Sequence, residues 1–418
     1  MEEDEFKDTE IGRIPKDWNV EKLIKHVDLI RGKEVGSNNY NNDNKGKRFI
    51  RIADLSGSKD DILYTTSNNV IECNKDDILI SFDGSPGIVA TNFFGAISSG
   101  IRKIYFKDNS LNKKYTYYFL QTIYIQNIIK KFSTGVTIKH ASKAIPNLII
   151  IIPPLEEQKR IAYVLSKIEN AIKIQDRIIN SLQELKKSMM HKLFTEGIGH
   201  TEFKDTEIGR IPKEWEIKKI SELFSIEHGI SITPKRRKLR ANYPMLRTSN
   251  IGWGKISLEK IDYSWFSDDE IKNLNLQYGD LLVCEGGDIG RTAMWTGELE
   301  KVGYQNHLHR LRKKYDSVSP LFYMYWMQYA ILYSHLYINE GNKTTIPNLS
   351  KSKIMNFNVV YTTYEEQKRI ADILSAIDNK ISIEEKRKDL FENLFKSMLN
   401  KLMTGQIRVK NLEMREID

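Results

Sequence analysis

Two stretches of this 418-residue chain space their apolar residues with the period of a helix. After Pro153-Pro154, apolar side chains fall at Ile161, Leu165, Ile168, Ile172, Ile179, Leu182, Met189 and Leu193, mostly in steps of three and four. That spacing predicts an amphipathic helix with a narrow seam. A second series runs through Ile370, Leu374, Ile377, Ile381, Phe391, Leu394, Met398 and Leu402. Both open on acidic pairs, Glu156-Glu157 and Glu365-Glu366, where the helix dipole favours negative charge, and Thr363 with Glu366 has the spacing of a capping box. Gly197 and Gly405 mark the stops. At 1.5 Å per residue, about 40 residues give helices of about 60 Å. Two long helices with one seam each are expected to pack as an antiparallel coiled coil.

The segments between them carry short β-rich runs closed by turns: Asp77-Ile-Leu-Ile-Ser-Phe82 before Gly84-Ser-Pro-Gly87, Asp280-Leu-Leu-Val-Cys284 before Gly286-Gly287, and Leu148-Ile-Ile-Ile-Ile152 before Pro153. Aromatic stretches at Tyr115–Leu120 and Leu321–Met327 read as helical in composition. These segments are therefore α/β in type, and the chain as a whole is α+β.

A duplication orders these elements. Phe6-Lys-Asp-Thr-Glu-Ile-Gly-Arg-Ile-Pro-Lys-Asp-Trp18 returns as Phe203-Lys-Asp-Thr-Glu-Ile-Gly-Arg-Ile-Pro-Lys-Glu-Trp215, identical at twelve of thirteen positions. Glu156-Glu-Gln-Lys-Arg-Ile-Ala162 returns unchanged as Glu365-Glu-Gln-Lys-Arg-Ile-Ala371. What lies between the matched segments differs. The reading is a tandem pair: a domain at 1–152 with a connector helix at 153–200, then a domain at 201–361 with a helix and tail at 362–418. A period near 200 residues is too long for a solenoid.

Composition narrows the function. Hydrophobic residues make up 40% of the chain, enough for two cores, and no run of about 18 apolar residues offers a membrane span. The acidic start, Met1-Glu-Glu-Asp-Glu5, is unlike a secretory signal, so a soluble cytoplasmic protein is expected. Two cysteines, Cys73 and Cys284, are too few for a disulfide framework or a cysteine-based zinc site. Net charge is +9, and residues 1–152 and 201–361 hold seven of these nine charges. The sharpest cluster is Lys235-Arg-Arg-Lys238 with Arg240, followed by Arg247 and Ser249-Asn250; in the first copy Lys45, Lys47 and Arg48 precede Arg51. Basic side chains bind phosphates, and Arg, Asn and Gln also pair with base edges.

Catalytic signatures are missing. The chain has no Gly-x-x-x-x-Gly-Lys-Ser/Thr phosphate loop and no Asn/Asp-Pro-Pro-Tyr/Phe methyltransferase tetrapeptide. Gly252-Trp-Gly254 and Gly286-Gly-Asp-Ile-Gly290 read as turns, and Asp176, Glu184 and Lys186 as polar helix surface rather than a nuclease centre.

The order Ile-Gly-x-Ile-Pro-x-x-Trp, a variable stretch, then Pro153-Pro-Leu-Glu-Glu-Gln-Lys-Arg-Ile-Ala162, all present twice, resembles the DNA-specificity subunit of type I restriction-modification systems. In the second copy Thr362-Thr-Tyr364 replaces Pro-Pro-Leu. The resemblance implies a non-catalytic chain with two target-recognition domains, each reading one half of a split, asymmetric site on double-stranded DNA. It implies two modification subunits docked on the paired helices, with restriction subunits outside them. S-adenosylmethionine, ATP and Mg belong to those partners, and this chain is expected to bind no cofactor and no metal. Charge and position nominate Arg31, Lys33, Lys45, Lys47, Arg48, Arg51, Arg102, Lys235, Arg236, Arg237, Lys238, Arg240, Arg247, Asn250, Arg291 and Lys343 as DNA contacts. Two other classes compete. A lone methyltransferase or nuclease would bind S-adenosylmethionine by itself, and a coiled-coil scaffold without DNA binding would give no gel shift on random duplex.

Overall fold

The computed structural model describes residues 5–57, 62–286, 288–334, 336 and 349–414. They fall into two compact units, Met1–Asp176 with Lys386–Asp418, and Arg177–Glu385. The two periodic stretches are single helices, Leu155–Thr195 and Tyr364–Met403. Among the described residues no helix is long and apolar enough to cross a membrane.

Each unit holds half of each long helix, so the units do not follow the linear division into domains and connectors. The reason is packing. Ile161 and Leu165 share a buried cluster with Val27, Ile80 and Phe119 and with Leu399 and Leu402. In the second unit Leu193, Ile370 and Leu374 share a cluster with Leu223, Leu281 and Phe322. The helix halves run antiparallel within each unit. Asp176 meets Lys388 at 2.7 Å in the first, and Lys186 meets Asp378 at 2.7 Å in the second.

Of the seam positions, Ile161, Leu165, Ile179, Leu193, Ile370, Leu374, Ile381 and Leu402 are buried. Ile168, Ile172, Leu182, Met189, Ile377, Phe391 and Met398 are half-buried, and Leu394 is exposed. The apolar spacing did not reveal that Gln175, Lys186 and Glu384 are buried as well. Lys186 is tolerated because Asp378 and the Gln328 side chain, 3.1 Å away, receive its ammonium. Gly197 (φ +63°) and Gly405 (φ +71°) end the helices in the left-handed conformation that a side chain disfavours.

The outer part of each unit is built on the same plan. In the first, strands Val89–Ala90, Leu79–Ser81, Ile101–Phe106 and Val27–Arg31 form a four-stranded antiparallel sheet in that order. In the second, Phe224–His228, Leu308–Lys313, Leu281–Cys284 and Thr292–Met294 do the same. Beside each lies a sheet with one parallel pairing, Lys47–Ile50 with Gly95–Ile97, and Tyr243–Leu246 with Gly303–Tyr304. The four isoleucines Ile149–Ile152 pair with Asn19–Lys22, matched by Asn358–Tyr361 with Glu216–Lys219. The aromatic stretches are helices Lys113–Phe119 and Pro320–Gln328, capped by Asn112 and Ser319.

The identical motifs meet in space. Trp18 donates its indole N–H to Glu157 at 3.2 Å, and Trp215 donates to Glu366 at 2.9 Å. Gln158 and Gln367 each accept one backbone N–H, from Asn112 and Ser319, and donate to two carbonyls. The Thr363–Glu366 capping box is half made. Thr363 accepts the Glu366 N–H, but the Glu366 carboxylate turns to Trp215, the Ile198 N–H, His200 and Thr362 instead.

Candidate nucleic-acid interface

Neighbouring cations in the second unit have opposite fates. Thr233 caps the short helix Pro234–Arg237. Arg236 makes a two-pronged contact with Glu270 at 2.9 and 2.6 Å, donates to the Trp265 carbonyl and lies 5.6 Å from the Trp265 ring centre. Its hydrogen bonds hold the Glu270 carboxyl below the usual range and raise the guanidinium. With Arg236 as anchor, Lys235, Arg237, Lys238 and Arg240 stand exposed, with no acidic partner among the described residues.

Beside this helix opens a cavity of about 620 Å³, lined by Arg237, Arg247, Asp262, Tyr263, Gln305 and His307 among others. Arg247 is half exposed; it contacts Asp262 at 2.6 Å and the Gln305 side-chain oxygen at 3.3 Å. Asn250 is buried. Its oxygen accepts the Arg247 N–H and its amide donates to the Ser257 and Lys260 carbonyls, so it shapes the loop rather than facing a ligand. Arg291 is largely covered and donates to the Asp288 and Thr248 carbonyls.

Cations of the first unit are mostly paired. Lys47 meets Glu72 at 2.7 Å, Arg48 meets Asp54 at 3.2 Å and the Phe93 ring at 5.5 Å, and Arg51 lies 3.7 Å from the same Asp54. Lys45 lies 3.6 Å from Asp43, and Lys33 donates to Asn69. Arg31 is exposed and donates to the Ser99 carbonyl at 3.1 Å. The Lys47–Glu72 and Lys45–Asp43 pairs are exposed and contribute only about 0–1 kcal/mol each, little for a phosphate to overcome, whereas the Asp54 carboxylate that holds Arg48 and Arg51 is itself buried.

Arg102 is corrected by the structure. It is 4% exposed and is bound to the Ser99 carbonyl and Ser142, with Asp83 3.8 Å away. Burial first, then Arg31, lowers its pKa from the usual guanidinium value. Arg102, Arg236 and Asn250 therefore serve the fold, whereas Arg31, Lys235, Arg237, Lys238, Arg240 and Arg247 reach the surface. Lys343 lies outside the described residues. Gln305 and Asn306 line the same cavity as His307, and as neutral side chains in a short turn they carry no charge signal in the sequence. Among the described residues no group of three or more His, Cys, Asp or Glu side chains is placed to hold a metal.

The family model for the type I restriction modification DNA specificity domain matches residues 15–184 and 212–393, once in each repeat. The chain is 31% identical to the MjaVIII type I specificity subunit of Methanocaldococcus jannaschii, over 98% of this chain and 97% of that one. The chain belongs to the type I restriction-modification DNA-specificity family. A more distant relative is the EcoKI specificity subunit of Escherichia coli K12, 26% identical over 71% of this chain and 68% of its own length. In fold the chain is similar to the crystal structure of a type I S subunit from M. genitalium, with a TM-score of 0.56 at 17% identity, covering 92% of this chain and 96% of the other. It is also similar to a chain from a study of type I complex assembly and conformational transition, with a TM-score of 0.59 at 15% identity, covering 94% and 99%.

As a type I specificity subunit the chain is a recognition component without catalysis of its own, and it carries two recognition domains in tandem. Membership also explains what repeats. The duplicated motifs supply the Trp–Glu contact and the Gln158 and Gln367 bonds, which are framework, while the surfaces that the framework carries differ.

Proposed function

We propose that this specificity subunit reads a split, asymmetric site on double-stranded DNA, one half in each unit, and scaffolds the enzymes that act there. The observation that carries this reading is one framework built twice under unlike polar surfaces. The first presents Arg31 and the exposed Lys45–Asp43 and Lys47–Glu72 pairs; the second presents Lys235, Arg237, Lys238 and Arg240, without an acidic partner among the described residues, beside a polar cavity. Such cations supply sequence-independent phosphate contacts and fix register on the duplex. Two modification subunits dock on the outward faces of the long helices and bring S-adenosylmethionine. Restriction subunits bring ATP and Mg, and the assembly works in the cytoplasm.

The test is methylation mapping by long-read sequencing in cells that express the chain with its modification partner. A two-part motif with unlike halves supports the reading. A continuous or palindromic motif overturns it.

A further inference from the structure

Both units place one short turn in the same backbone setting. In the first, the Ser98 N–H donates to the Ile50 carbonyl at 3.0 Å, Lys33 N–H to Ile97 at 3.0 Å and Ile101 N–H to Ser98 at 3.0 Å. In the second, Gln305 N–H donates to Leu246, Ile230 N–H to Tyr304 and Leu308 N–H to Gln305, each at 2.9 Å. Gly32 and Gly229 make this possible, because a Cβ on either would collide with the carbonyls of Ile97 and Ser98, or of Tyr304 and Gln305. Arg51 and Arg247 directly follow the accepting residues Ile50 and Leu246, and each takes a side-chain oxygen three residues on, Asp54 or Asn250, onto its backbone N–H. The backbones match while the turns read Ser98-Ser-Gly100 and Gln305-Asn-His307.

We infer that the turn at residues 305–307, with Arg247 beside it, reads base edges in the half-site of the second unit, and that residues 98–100 beside Arg51 hold the same place in the first. This rests on the DNA-recognition reading above. If two domains share a backbone and read different bases, the side chains that choose must differ at equivalent positions, and these do: Gln305 and Asn306 are half-buried and His307 exposed, whereas of the matching turn only Ser99 is not buried. The chemistry fits a base edge better than a phosphate. Gln305 and Asn306 are neutral amides, suited to paired hydrogen bonds with adenine, and Arg247 is suited to guanine. The Asn306 amide has no hydrogen-bond partner among the described residues, and Gln305 uses only its oxygen, toward Arg247. Asp262 and Gln305 hold Arg247 in one orientation at the cavity, which reduces the entropy lost on binding. Phosphate contacts fall to Arg237 and its exposed neighbours.

The test uses the full chain expressed with its modification partner, and reads methylation at every sequence variant of the mapped site. The variants are Asn306→Ala, Gln305→Ala, and the triple exchange Gln305→Ser, Asn306→Ser, His307→Gly, which copies the first unit's turn onto a matching backbone. The expected result is a roughly 5- to 150-fold loss of preference at one or two positions of one half-site, with the other half unchanged. Should the triple exchange fail to fold, Asn306→Ala still decides, because it removes an amide that bonds to nothing described. An unchanged motif overturns the inference, and so does equal weakening on all sequences, the mark of a phosphate contact, or joint loss of both halves in every variant. If the unsubstituted chain gives no two-part motif, the proposed function fails instead.

Discussion

The indole N–H of Trp215 reaches the Glu366 carboxylate at 2.9 Å across 151 positions of sequence. Burial alone would push that carboxyl up, yet hydrogen bonds from Thr362, the Ile198 N–H, Trp215 and His200 hold it below the usual range. A carboxyl depressed in the folded state stabilises fully above its unfolded pKa, about 4.3, and loses that contribution as pH falls through the folded value. Glu366→Gln should therefore lower the urea midpoint most at pH 6–7, by the equivalent of about 1.5–3 kcal/mol. The difference from the unsubstituted chain should shrink below about pH 5. A difference that stays constant down to pH 3 would contradict this.

In the first unit Glu157 is completed by Arg408, which bonds both carboxylate oxygens at 2.8 Å, contacts Asp17 at 3.0 and 2.8 Å and lies 5.1 Å from the Trp18 ring centre. These bonds bring the Asp17 pKa down to about 2. Arg408→Ala leaves a buried carboxylate without its counter-charge, a loss of about 3–5 kcal/mol. Hydrogen exchange should quicken around Trp18 and remain slow around Trp215. Equal quickening at both tryptophans would show that Arg408 acts on the whole chain.

Leu165 and Leu374 occupy the same position of the two long helices and are fully buried, whereas Ile377 is half-buried. Leu374→Ala should cost about 2–5 kcal/mol and Ile377→Ala clearly less. Chemical denaturation of the two variants compares them directly. The reverse order would misplace the seam.

Arg236 and Arg237 are adjacent and should behave oppositely. Arg237→Ala removes an exposed cation. It should weaken binding about equally on all duplexes and reduce the salt slope by about one. Arg236→Ala releases the short helix from Glu270, so it should lower protection of residues 233–240 in hydrogen exchange before any DNA is present. Binding to duplexes carrying both, either or neither half-site, at two salt concentrations, separates the pair.

What could be read from sequence was what repeats or keeps a period. The helix pattern placed Leu155–Thr195 and Tyr364–Met403 within a few residues, because a long amphipathic face is a cumulative signal. The repeated Trp18 and Glu157 were visible, but not that they touch, since the contact spans 139 residues. Charge found Lys235–Lys238 as a cluster, yet it could not separate Arg236 from Arg237, because Glu270 and Trp265, 34 and 29 positions away, distinguish them. Arg102 failed for the same reason: its burial depends on Ser142 and Asp83, far along the chain.

The first unit needs residues 386–414, whereas the second is contiguous from Arg177 to Glu385. During synthesis the later unit can therefore close first. The earlier one waits, with Glu157 lacking Arg408 and Ile161 and Leu165 lacking Leu399 and Leu402, until residues 386–414 have left the ribosome. At 5–20 residues per second, the N-terminal strands spend roughly 20–80 s incomplete. Loss of residues 386–414 would thus damage the half that was made first.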